Sequence, residues 1–190
     1  MPPPARPLRA DAVRNRTSLL AAAEIEFAQR GSDASIADIA ERAGVAKGTV
    51  FRHFATKDEL VAAVVGGRFT RLAAVADRLL DSPDPGAALL EFLSATAESL
   101  HRQDLAFLQT VSEGDPGVAG IRERLHAAAE ALVGRARDAG AVRPDVTGTD
   151  VLLLVCATVH AVHSVPDPAP DRLPRYLEII TDGLRHPSRA

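Results

Sequence analysis

The sequence predicts an all-α protein of about nine helices. Alanine fills 35 of the 190 positions, and it has the highest helix propensity of any residue. Aromatic residues, which favour strands, make up 4%, and Trp is absent. Apolar residues recur at helical spacing between Ser, Thr or Asp start signals and Gly stops, and no alternating run suggests a strand.

Residues 1–10 are Pro-rich and read as a flexible arm. A first helix is predicted over 11–29, where Leu19, Leu20, Ala23 and Phe27, with Val13 and Ala28, fall near 3.6-residue spacing and Gly31 ends the run. Ser35-Ile36-Ala37-Asp38 fits the capping box and opens a helix to 43. Gly44-Val45-Ala46 is a tight turn before a short helix over 47–54. Thr56-Lys57-Asp58-Glu59 repeats the capping-box pattern and starts a longer helix to about 80.

Asp84-Pro85 and Asp115-Pro116 each put an N-cap residue before a Pro at the first helical position, opening helices to about 101 and 139. Gly140 ends the second, and a shorter helix, 103–112, lies between them. Thr147-Gly148-Thr149-Asp150 is a third capping box, before an apolar helix to about 164. Pro166, Pro168 and Pro170 break the chain, and a last helix spans 171–184.

The net charge of −3 does not by itself point to a polyanion. Residues 1–60 carry 9 Lys+Arg against 8 Asp+Glu, and residues 61–190 carry 13 against 17, so the first part is +1 and the rest −4. Both lysines, Lys47 and Lys57, fall in the first third. The longest apolar run, 151–157, is too short to span a bilayer, and the first seven residues lack the apolar core of a secretory signal. One cysteine excludes an intramolecular disulfide, so a reducing cytoplasm is the expected location.

Residues 35–54 hold the specific signal. Ala40, Gly44 and Val50 have the spacing of a helix-turn-helix: a small residue where two helices cross, a turn glycine free to take positive φ, and an apolar anchor on the second helix. Ile36, Ile39, Ala43 and Val45 complete its apolar side. The second helix then offers Lys47, Thr49, Arg52 and His53, polar and cationic side chains suited to base edges and phosphates in a major groove about 12 Å wide. Lys57 adds a cation at the start of the next helix. A solvated cationic face on a structural three-helix cap is the plainer alternative.

Three stretches carry a resemblance. They are residues 9–16, then Ile39-Ala40-Glu41-Arg42-Ala43-Gly44-Val45, and the run from Gly48-Thr49-Val50-Phe51-Arg52-His53-Phe54 through Leu60. Together they resemble the DNA-binding domain of the TetR family of bacterial transcriptional regulators. The match is close over residues 9–65; beyond it, helix number and order and the connection over 139–146 are similar.

The resemblance implies a helix-turn-helix DNA-binding domain over 11–56 and a ligand-binding and dimerisation domain over 57–190. It implies a homodimer on a palindromic operator in double-stranded DNA, joined through the eighth and ninth predicted helices, with a small-molecule effector among helices four to eight. By motif position, Lys47, Gly48 and Thr49 meet the major groove, Phe51, His53 and Lys57 meet its wall and the phosphates, and Ser35 meets the backbone. Ala46 and Arg52 complete this expected DNA-contacting set. Phe51 stands where the family usually has Tyr, which removes one hydrogen bond worth about 0.5–1.5 kcal/mol. Ala46 stands where Ser or Thr commonly caps, a loss of about 1 kcal/mol.

For the effector, Phe69, Phe92, Leu93, Phe107, Leu108, Val111, Leu125, Cys156 and His160 are candidate pocket residues, and core packing is the competing reading of most. Leu153, Val159, His163, Tyr176, Ile179, Ile180 and Leu184 are candidates for the dimer interface. His160 and His163 are spaced i, i+3, yet no neighbouring set completes a metal site, and Cys156 in an apolar run is read as a small hydrophobe. No metal, cofactor or membrane partner is expected.

Two alternatives remain: a constitutive or protein-controlled DNA binder without a small effector, and an all-α enzyme with a helix-turn-helix-like cap. The second lacks a Gly-rich phosphate loop, a Ser-His-Asp grouping or a paired-carboxylate site.

Overall fold

Local capping sets where most helices begin. In the computed structural model, which describes residues 6–101, 115–165, 169 and 171–185, Ser35 caps α2 (Ile36–Arg42) through a complete capping box. The Ser35 hydroxyl accepts from the Asp38 amide at 3.2 Å, and the Asp38 carboxylate accepts from the Ser35 amide at 3.2 Å and its hydroxyl at 2.6 Å. Thr147 and Asp150 repeat the device. Asp84 accepts from the Ala87 amide at 2.9 Å, and Asp115 from the amides of Gly117 and Val118 at 2.8 and 3.1 Å.

The box predicted at Thr56 is shifted. Thr56 accepts from the Glu59 amide at 3.1 Å, but the Glu59 carboxylate takes the Ala55 amide, at 2.6 Å, rather than that of Thr56.

Eight helices and no strand occur among the described residues. They are α1 (Arg6–Arg30), α2, α3 (Lys47–His53), α4 (Lys57–Leu79), α5 (Pro85–His101), α6 (Pro116–Asp138), α7 (Gly148–His163) and α8 (Arg172–Leu184). The all-α expectation holds, and the short helix predicted over 103–112 lies outside the described residues.

The expected arm over 1–10 is corrected in part: α1 already begins at Arg6. Pro7 falls in the first turn, where its missing N–H has no intrahelical partner to lose. Leu8, Arg9 and Ala10 are all good helix formers, so the helix runs back through them.

The described residues divide into two compact units, 6–66 with 115–118 and 67–101 with 119 onward, so that the divisions fall inside α4 and inside α6. In the N-terminal unit α1 packs against α2, and α2 against α3. Leu19, Ala23, Phe27, Ile39, Val50 and Phe54 are buried there, each larger side chain contributing about 1.5–3 kcal/mol. Ala40 is buried, as the helix-turn-helix pattern requires. Gly44 has φ +67, and Val45 closes the turn onto the Ala40 carbonyl at 3.0 Å.

The C-terminal unit is held by α5 and α8 against α7. Its core gathers Leu72, Ala73, Ala76, Phe92, Leu125, Leu132 and Leu152. Gly140, at φ +69, ends α6 and turns the chain into a segment whose Arg143 amide donates to the Leu184 carbonyl at 3.0 Å, tying down the end of α8.

Candidate nucleic-acid interface

One side of α3 is sealed and the other open. Val50 is fully buried, Thr49 and His53 are half-buried, and Lys47, Gly48, Phe51 and Arg52 are exposed. At one residue per 100° the four exposed positions cluster on a single face. Nothing lies within 4 Å of where a Cβ on Gly48 would sit, so that face has an open hollow at its N-terminal end. Phe51 is 47% exposed, an unusual place for a phenyl ring. Ala46 caps α3 in extended conformation with no side-chain hydrogen bond, as expected from its missing hydroxyl.

Three sets of contacts hold this face in place. Glu26 of α1, 2% exposed, accepts from Arg42 Nε at 2.5 Å and pairs with Arg30 at 3.4 Å. Arg42 Nη2 also reaches Gln29 at 3.1 Å, so α2 is clamped to α1 by one guanidinium. The Arg16 guanidinium lies 5.1 Å over the ring of Phe54, the residue that ends α3. Lys57 Nζ donates to the Ser32 carbonyl at 2.6 Å and stands 6.0 Å over the Phe27 ring.

The structure therefore brings together Lys47, Gly48, Phe51 and Arg52, with Thr49 and His53 at the edges. It engages Ser35 and Lys57 within the unit itself. Sequence pattern alone does not pair Glu26 with Arg42; the one local signal is an acidic residue on the same helical stripe as Leu19, Ala23 and Phe27.

In the C-terminal unit, Phe92 and Leu125 belong to the core and Phe69 packs against it, with the buried Arg68 guanidinium 5.6 Å over the Phe69 ring. Burial pushes the Cys156 thiol up, while the charge of Arg68 pulls it down. Two cavities of about 410 and 550 Å³ open between α5 and α8. Of the predicted pocket residues Leu93 lines both; His160 is exposed, and Phe107, Leu108 and Val111 lie outside the described residues.

Of the predicted interface residues, Leu153, Tyr176 and Ile179 are exposed apolar side chains and His163 is exposed. Ile180 is half-buried, and Val159 and Leu184 are buried in the subunit itself. No metal-ligating group of three occurs among the described residues.

The family model described as "Bacterial regulatory proteins, tetR family" matches residues 19–64. A second, "Transcriptional regulator SbtR-like, C-terminal domain", matches residues 84–186, more than half of the chain. This chain belongs to the TetR family of transcriptional regulators. A TetR transcription regulatory protein from Mycobacterium vanbaalenii is 34% identical, with 95% of this chain and all of that one covered and a TM-score of 0.70. The TetR regulator SCO0520 from Streptomyces coelicolor is 28% identical over 91% and 99% of the two chains, with a TM-score of 0.71.

An HTH-type transcriptional repressor of Mycobacterium tuberculosis is 40% identical over 116 residues, 60% of this TetR-family chain. The match spans about half, 55%, of that relative's length. No described helix is long and apolar enough to cross a membrane.

Proposed function

We propose that this TetR-family chain is a dimeric repressor that binds a palindromic DNA operator and releases it when a small apolar or amphipathic effector binds. The observation that carries the reading is the open face of α3, with two cations, a bare glycine and an exposed ring over a sealed Val50. Lys47, Gly48 and Thr49 read the major groove, and Phe51, Arg52 and His53 meet its wall and phosphates. Ala46 brings the backbone close. Ser35 meets the DNA backbone and Lys57 the phosphates, and both also hold the head in shape through their bonds within it.

The M. tuberculosis relative is named a repressor, which supports that sign of regulation. Exposed Leu153, Tyr176 and Ile179 on α7 and α8 support a homodimer through those helices, beside His163 and Ile180. The function is regulatory rather than catalytic, and it is exercised in the cytoplasm. Effector binding shifts the dimer toward a spacing of heads that no longer fits two half-sites, and operator DNA weakens the effector by the same factor.

A second reading keeps the DNA head and dispenses with the small effector. The packing of Phe92 and Leu125 into the core favours it, since among the described residues only Leu93 of the predicted pocket set lines either cavity between α5 and α8.

Selection of bound duplexes from a random library by the full chain tests the reading. The expected result is a palindrome with half-sites about one helical turn, ~34–36 Å, apart or a multiple of it. Salt-sensitive binding with no recurring motif would overturn it.

A further inference from the structure

The larger cavity between α5 and α8, about 550 Å³, has an apolar floor and an acidic rim. Leu90, Leu93 and Ala97 of α5, with Leu173 and Leu177 of α8, make the floor, and all five are buried or half-buried. Glu98, Glu178 and Asp182 stand exposed on the rim against one cation, Arg185. Three carboxylates and one guanidinium leave the rim at net −2, and that guanidinium is already paired with Asp182 at 3.2 Å.

The smaller cavity, about 410 Å³, adjoins it and shares Leu90, Leu93, Thr181 and Arg185. Leu89, Val142 and Leu184 add further apolar wall there. Gly86 and Glu98, at the two ends of the combined groove on α5, are twelve residues apart, about 18 Å along the helix.

This groove lies apart from the surfaces assigned above. Its α8 wall is the ninth helix predicted from the sequence, outside helices four to eight, where the family resemblance puts an effector. At 100° per residue, Glu178, Thr181, Asp182 and Arg185 share one side of α8, while Tyr176 and Ile179 project from another. A dimer built on those two side chains does not use the groove side of α8.

We infer that this groove binds an amphipathic organic cation, with its ammonium among Glu98, Glu178 and Asp182 and its apolar tail along Leu90 and Leu93. The tail takes leucine surface out of water, and the rim attracts the charge. An anionic amphiphile would meet the same rim with repulsion. A metal ion would leave the floor uncovered, and the carboxylates form no metal-ligating group of three among the described residues. As a binding site the groove stands without the DNA-binding reading; its use to release DNA rests on the effector mechanism proposed above.

The test is calorimetric titration of the full chain with octylammonium, octanol and octanoate, three probes that share a tail and differ in charge, below their micelle-forming concentrations. The expected order of affinity is octylammonium, then octanol, then octanoate. Glu178→Gln and Glu178→Gln/Asp182→Asn change exposed side chains and are expected to keep the fold, which thermal midpoints check. Each carboxylate removed is expected to weaken octylammonium by about two- to fivefold and to leave octanol unchanged. Ser94→Trp, at an exposed position lining the larger cavity, fills the groove and is expected to weaken all three probes.

Octanoate binding as tightly as octylammonium overturns the inference, as does a cation preference that survives the double variant. No binding of any probe, or binding untouched by Ser94→Trp, overturns it as well. All of these leave the DNA-binding function standing. Cation-selective binding that Ser94→Trp removes upholds the site. If octylammonium then fails to release the duplex recovered by selection, the release mechanism falls and the site remains.

Discussion

Lys57 and Ser32 are 25 residues apart, yet the Lys57 ammonium donates to the Ser32 carbonyl at 2.6 Å. The bond ties the first turn of α4 to the 3-10 turn that follows α1, with the lysine stem passing Phe27. A cation that motif position assigns to DNA phosphate is thus also a brace of the head.

Lys57→Met keeps the apolar stem and removes the donor. It is expected to destabilise the chain by about 1 kcal/mol, below the usual range of about 1.5–3 kcal/mol for a bond to a charged group because this bond is exposed to water. Urea denaturation reads it; a variant as stable as wild type would show that Ser32 loses nothing.

Gly148 allows α7 to begin against α6. Its amide donates to Glu130 at 2.6 Å, and a Cβ there would stand 2.5 Å from the Glu130 backbone nitrogen and 2.7 Å from its Cα. Backbone cannot move aside as a side-chain tip does. Gly148→Ala is expected to cost about 1–3 kcal/mol, measured by the same denaturation. A neutral effect would mean that α6 and α7 separate easily.

The helix starts were legible in the sequence because their bonds are local. Ser35, Asp84, Asp115 and Thr147 each meet an amide within three residues, so the residue types and spacing suffice. The turn at Gly44 and the anchor at Val50 were legible for the same reason. Long-range partners were not: Glu26 and Arg42 are 16 residues apart, and nothing in either segment names the other. Nor does helical periodicity separate a pocket wall from a core, since Phe92 and Leu93 are adjacent on α5 and only Leu93 lines a cavity.

The two complete capping boxes make stability depend on acid in one direction. Hydrogen bonds from the Ser35 hydroxyl and amide hold the Asp38 carboxyl below the usual carboxylate range, and those from Thr147 do the same for Asp150. Groups with a lowered folded value stabilise fully above about pH 4 and lose that contribution as pH falls below it. An Asp38→Asn/Asp150→Asn variant is expected to be less stable than wild type at pH 7 and to lose less between pH 4 and pH 2. Thermal midpoints across that range check it, and parallel acid profiles would contradict it.

The exposed Phe51 ring offers a simple gain. Phe51→Tyr places a hydroxyl at the edge of the α3 face, and a new bond to phosphate is expected to tighten binding by about 0.5–1.5 kcal/mol. Weaker binding would mean that the ring packs on a base or methyl group.

The most direct measurement compares wild type with Lys47→Ala on the duplex recovered by selection and on a scrambled duplex of the same length. Lys47 is exposed at the first turn of α3, so its loss should leave the fold intact. If α3 reads the groove, affinity for the selected duplex falls by about 1–3 kcal/mol, and affinity for the scrambled one falls much less. Equal affinity of the two proteins for the selected duplex would contradict the account.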